Sequence, residues 1–97
     1  MPELNDLIHQ TVRLRIMAAL ASLENNLEVD FSSLRDLLDV TDGNLGAHLR
    51  KLEEAAYIKI NKTFIDRKPR TFLAITPLGK KVFKGHVAAL ESIIKKK

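Results

Sequence analysis

The 97-residue chain contains no cysteine and no tryptophan, few aromatic residues (5%), three prolines and four glycines. Without cysteine there is no disulfide, no thiolate nucleophile, no CxxC redox pair and no cysteine-based zinc site, and nothing calls for an oxidising compartment. Also missing is an apolar run of the ~18 residues that a membrane span needs. Met1 to Asp6 is acidic and no apolar stretch with a small-residue cleavage site follows it, so no secretory leader is read there. Catalytic signatures are lacking: no GxSxG, no P-loop, no HExxH, and no carboxylate pair in a recognisable motif. The histidines, His9, His48 and His86, show no ligand spacing. The expectation is a cytoplasmic protein that is no enzyme and carries no metal or cofactor.

What is present describes a folded chain, with 45% hydrophobic and 29% charged residues. The length fits one domain over residues 1–97. A core of this size buries a modest share of the chain, and with no covalent staple the help expected is a partner chain. Charge is uneven. Residues 1–40 hold three basic against seven acidic side chains, residues 41–70 seven against four, and residues 71–97 six against one, for a net +4. A pI near 9.6 with basic residues gathered in the C-terminal half points to a polyanion, although an anionic membrane or an acidic protein fits charge alone almost as well.

The spacing Leu4, Ile8, Val12, Ile16, Leu20 is i,i+4 throughout and predicts a helix from Leu4 to about Leu23, ended by Asn25-Asn26. Leu7, Leu14 and Met17 fall off that stripe, so the helix is apolar on most sides and needs covering twice. Leu27-Glu28-Val29 reads as a stub of strand, and Asp30 as the cap of a short helix, Phe31 to Leu38, that buries Phe31, Leu34, Leu37 and Leu38. After the turn Asp39-Val40-Thr41-Asp42 a third helix runs from Asp42 to about Ala55, capped by Thr41 or Asp42, with Leu45, Leu49 and Leu52 inward. Tyr57 to Ile65 then alternates, placing Ile58, Ile60 and Phe64 on one face, and Thr71 to Ile75 is a second strand. Asp66-Arg67-Lys68-Pro69-Arg70 joins them as a basic tip. Thr76 caps a last helix to about Ile94, with Pro77 in its first position, and Lys95-Lys96-Lys97 is a solvated end.

The fold predicted is mainly α with a small β-hairpin, in the order α-β-α-α-β-β-α. Four runs in that order, Phe31 to Leu38, Thr41 to Ala55, Arg67 to Thr71 and Thr76 to Lys80, resemble the small stand-alone winged-helix transcriptional regulators related to the MarR and ArsR types. The resemblance covers nearly the whole chain. It departs at Ala56 and Asp66, where the family usually carries glycine, so the exit of the third helix and the hairpin tip are expected to be strained or reshaped. It implies a DNA-binding homodimer acting at a promoter.

The residues themselves support that function. Opposite the inward leucines the third helix carries Gly43, Ala47, Arg50 and Glu54, flanked by Asn44 and Lys51. Small Gly43 and Ala47 allow close approach to a major groove, Asn44 suits adenine, and Arg50 or Lys51 suits guanine or phosphate. Glu53 and Glu54 repel phosphates and mark the end that leaves the DNA. The DNA-facing set predicted is Ser32, Asp42, Gly43, Asn44, Ala47, His48, Arg50, Lys51, Lys62, Arg67, Lys68 and Arg70, with His48 a packing flank first and a reader second. Lysine and proline in the tip also serve edge protection, and Gly43-Asn44-Leu45-Gly46 is a GxxG without the strand order of a KH domain. The last helix spreads its apolar residues more widely than one core needs. Leu4, Leu7, Ile8, Val82, Phe83, His86, Leu90, Ile93 and Ile94 are therefore the expected dimer interface, with His86 tuning it below about pH 6.5. The alternative is a winged-helix protein-interaction module without DNA readout.

Overall fold

In a computed structural model that describes residues 3–24 and 27–95, the first helix, α1, occupies Thr11–Ala21 and starts later than the apolar spacing predicts. The cause is local side-chain competition for the backbone. Asn5 Oδ1 accepts the Ile8 N–H at 3.0 Å, closing a single turn, and extended Gln10 caps α1 by accepting the Arg13 N–H at 2.9 Å. Ile8 stays on the inward stripe without belonging to the helix. α1 already closes at Ser22, and the stop assigned to Asn25-Asn26 lies outside the described residues.

The other elements are β1 (Val29–Asp30), α2 (Phe31–Leu38), α3 (Asp42–Glu54), β2 (Ile58–Ile65), β3 (Lys68–Ile75) and α4 (Pro77–Lys95), in the order the sequence predicts. The caps follow side-chain chemistry. Asp30 accepts from the Ser32 N–H, Thr41 from the Asn44 N–H, and Thr76 from the Gly79 N–H. α3 ends in a Schellman motif: the Ala56 N–H donates to the Glu53 carbonyl at 2.8 Å and the Tyr57 N–H to that of Leu52 at 3.0 Å. This places Ala56 at φ 64°, in the left-handed region that the missing glycine would have occupied without strain.

The strands form one antiparallel sheet in the order β1-β3-β2. Pairing of Ile65 with Lys68 leaves only Asp66 and Arg67 as the turn, at φ 51° and 65°. The five-residue tip expected is thus a two-residue turn of type I′ handedness, which matches strand twist. Pro69 lies within β3 opposite Phe64, tolerated because β1 reaches only Phe72 and Leu73 and leaves that edge of β3 unpaired.

Ile8, Ile16, Met17, Leu20, Leu34, Leu38, Leu45, Leu49, Leu52, Ile58 and Leu73 form the buried core, with α1 touching the other three helices and β3. Two core expectations fail. Leu37 is 66% exposed on the outer side of a two-turn helix, and Phe64 is 73% exposed because the hairpin runs past the end of the core. α4 docks closely on the backbone just before β2: a Cβ on Gly79 would lie 2.0 Å from the Tyr57 carbonyl oxygen, so only glycine fits there. No helix among the described residues is long and apolar enough to cross a membrane.

Candidate nucleic-acid interface

With Leu45, Leu49 and Leu52 buried, Asp42, Gly43, Asn44, Ala47, Arg50 and Lys51 stand exposed on the other side of α3. Asp42, Gly43, Gly46, Leu49 and Arg50 line an open groove of about 350 Å³, whose remaining walls are Phe31 of α2 and Ile60, Lys62 and Thr71 of the hairpin. Helix face and hairpin therefore border one concavity, with Arg50 and Lys62 as its cations. Positions on Gly43 and Gly46 where a Cβ would sit face open space, so this side of the helix is shallow.

The basic hairpin residues do not form one cluster. Strand alternation puts Lys62 on the groove face with Thr71, whereas Lys68 and Arg70 lie on the opposite face of β3 and Arg67 at the turn. Arg70 approaches Asp30 at 4.0 Å. Burial acts to raise the Asp30 pKa, but bonds from the Ser33 hydroxyl and the Ser32 and Ser33 N–H groups, with the charge of Arg70, bring it below the usual carboxylate value. Ser32 is exposed at the start of α2.

Sequence reasoning missed three residues that hold side chains in place, Arg35 and Arg13 beside this surface and Asn5 away from it. Arg35 of α2 donates to Asp42 at 2.8 Å and to Asp36 at 3.1 Å. Those two carboxylates raise its pKa, and its charge offsets the repulsion that Asp42 would present to a phosphate. Arg13 of α1 reaches the Nδ1 of His48 at 3.0 Å while its Nε donates to the Leu7 carbonyl. His48 is half-buried, and burial, then the charges of Arg13 and Lys51, lower its pKa. Asn5 donates its backbone N–H to Nδ1 of His86 at 2.9 Å and its side-chain amide to the Tyr57 hydroxyl at 3.1 Å. Acid and base patterns across a turn, or between distant helices, leave no periodic trace in a sequence.

A family model described as a winged helix DNA-binding domain matches residues 12–94. The chain belongs to this family. In winged-helix terms α2 and α3 are the helix-turn-helix and β2-β3 is the wing. Over 81 residues the chain is 36% identical to the uncharacterized protein MJ0432 of Methanocaldococcus jannaschii, covering 84% of this chain and 85% of that protein. It is similar to the transcriptional regulator homologue of Pyrococcus horikoshii OT3, with a TM-score of 0.83 and 34% identity over 93% of this chain and 86% of that one. The winged-helix fold is also shared with S. aureus MepR, solved as a DNA complex, with a TM-score of 0.75 and 14% identity over 93% of this chain and 71% of that one.

The expected partner face of the winged helix needs correction at two positions. Ile8 lies fully inside the protomer core, and His86 is 1% exposed, packed under the N-terminal segment with its ring 5.3 Å from that of His9. Neither is available to a second chain, and His86 is harder to protonate than an ordinary histidine because burial, then the nearby His9, disfavour its charge. Leu4, Leu7, Val82, Phe83 and Leu90 are half-buried, while Ile93 and Ile94 are exposed.

Proposed function

We propose that this winged-helix protein regulates transcription by binding double-stranded DNA as a homodimer, with α3 in the major groove and the wing on the backbone or minor groove. The observation that carries this reading is the groove shared by Gly43, Gly46 and Arg50 of α3 and by Lys62 of the wing. A shallow helix face beside a cation-bearing wing suits a helix pressed into a groove and a hairpin along its phosphates. Asn44, Ala47 and Lys51 extend the helix contact, with Asn44 the candidate reader of adenine. Family membership and the likeness to the Pyrococcus regulator homologue support the same function.

Binding of a selected duplex measured against salt tests it. Each neutralised phosphate contributes about −0.9 to the slope of log K on log salt, so two protomers with roughly three basic contacts each give a slope near −5. Replacing Arg67 and Arg70 by alanine should weaken all duplexes alike, whereas Asn44→Ala should cost about 1 to 3 kcal/mol on the preferred site and little elsewhere. No salt-sensitive binding to any duplex at low salt would overturn the proposal in favour of a protein-interaction module.

A further inference from the structure

His48 has two ring nitrogens, and the structure accounts for one of them. Its Nδ1 lies 3.0 Å from Nη1 of Arg13. A guanidinium has only donors and keeps its charge in proteins. Nδ1 must therefore be the acceptor, and the ring proton sits on Nε2. Arg13 is itself held: its Nε donates to the Leu7 carbonyl and its backbone N–H to Gln10 Oε1 at 2.9 Å. The backbone of Arg13 is thus tied at the start of α1 and its guanidinium to the N-terminal segment before it reaches α3.

The charged groups facing His48 are Arg13 from α1 and Lys51 from α3 itself, both cations, which together with burial oppose a second proton on the ring. His48 lies four residues after Asn44 and three before Lys51, so the three share one edge of the exposed side of α3. Its Nε2 has no hydrogen-bond partner among the described residues, and unlike the Nε2 of His86 it is not buried.

Resting on the DNA-binding reading above, we propose that Arg13 is a positioning residue for recognition: it fixes His48 as a neutral imidazole that offers DNA one donor, Nε2–H, and no acceptor. Such a group can donate to a purine N7, to guanine O6 or to thymine O4, and cannot accept from the amino groups of adenine or cytosine. An untethered histidine would present either tautomer, or a cation in mild acid, and discriminate less. Arg13 touches no DNA in this scheme; it acts through His48 from the far side of the helix.

Nitrogen-detected NMR of the full chain, without DNA, reads the tautomer directly. The expected spectrum has an unprotonated Nδ1 and a protonated Nε2 at pH 7, with a titration midpoint below that of an exposed histidine. In Arg13→Leu the two tautomers should mix and the midpoint rise. Binding to a selected and a random duplex supplies the second readout. His48→Phe and Arg13→Leu should each lower the ratio of selected to random affinity about three- to tenfold, the span of one hydrogen bond. The double variant should lose no more than either single one. A proton on Nδ1 or a charged ring at pH 7 in the parent overturns the proposal without any Arg13 variant, as does His48→Phe with an undiminished ratio. Binding by Arg13→Leu with the parent's ratio overturns the role of Arg13 while leaving DNA binding intact. A parent that binds no duplex at low salt overturns the recognition role together with the proposed function, even where the tautomer is as expected.

Discussion

Ala56 carries a conformational cost that its neighbours hold in place. At φ 64° its Cβ crowds the backbone, but two Schellman hydrogen bonds, and the Thr76 hydroxyl donating to its own carbonyl at 2.6 Å, keep it there. A non-glycine residue in this region costs about 1 to 2 kcal/mol, partly offset by the lower entropy of alanine in the unfolded chain. Ala56→Gly should therefore stabilise the protein by about 0.5 to 1 kcal/mol in urea denaturation. A loss of stability would show that Ala56 is not strained. His86 makes a second residue-level prediction. The unfolded chain takes up a proton near pH 6.5, whereas the folded chain resists it because the ring is buried and Nδ1 already accepts from Asn5. A depressed folded-state pKa means that stability is intact above about pH 6.5 and is lost as pH falls from there through the folded-state value. Melting temperature should drop between pH 7 and 5 in the parent and less in His86→Gln, whose amide can still accept from Asn5, the remaining drop belonging to His48, whose pKa is also lowered. Asp30 also loses its contribution in acid, but only as pH falls below its unfolded value of about 3.8, so the two windows separate.

At the scale of elements, α3 trades stability for a shallow surface. Gly43 and Gly46 weaken a helix by about 0.8 to 1.0 kcal/mol each relative to alanine. Space for a Cβ is open at both, so packing does not demand glycine. Gly43→Ala should raise stability by up to about 1 kcal/mol and at the same time weaken binding to the selected duplex. If both rise together, Gly43 does not face the groove of the DNA. The order of elements and the buried face of α3 were legible from apolar spacing and from Asp30, Thr41 and Thr76 as caps, whereas in α2 the spacing held for Leu34 and Leu38 and failed at Leu37. Less legible was α1, where Asn5 and Gln10 interrupt an unbroken i,i+4 pattern with side-chain hydrogen bonds that periodicity ignores. The wing illustrates the same limit. Its strands and its charge could be read, but pairing of Ile65 with Lys68 shortens the turn to two residues and sends Lys68 and Arg70 to the face opposite Lys62. A one-residue change of register would reverse that division, and register depends on the turn geometry that Asp66 and Arg67 adopt. Within the candidate site, exposed positions on α3 followed from its period, whereas the partners Arg13 and Arg35 come from other helices and required the fold.

For the molecule as a whole, the unmet requirement lies along α4. Its inward stripe passes through Gly79, His86 and Ala89, all buried, and continues to Ile93 at helical spacing, yet Ile93 is 58% exposed and the adjacent Ile94 79%. The helix has outrun the body of the protomer. Nineteen residues rise about 28 Å, and the molecule is accordingly elongated, 55 × 25 × 21 Å. Leu90 and Val87, one and two turns earlier, are only half-buried, so the uncovered strip is continuous with the core. A second copy meeting the first across a two-fold axis would cover both overhangs with the same residues and would set two α3 helices one DNA turn apart, ~34 to 36 Å. Ile93 and Ile94 are better probes of this than Ile8 or His86, which each protomer buries for itself. Being exposed, they can be replaced by aspartate without opening the core. In sedimentation at micromolar concentration without DNA, the parent should run as a dimer, and the double variant Ile93→Asp, Ile94→Asp as a monomer with an unchanged circular dichroism spectrum. The same variant should bind half-sites weakly and lose the advantage of two correctly spaced ones. A parent that sediments as a monomer overturns the pre-formed dimer and moves assembly onto the DNA, where cooperativity between half-sites would have to appear instead.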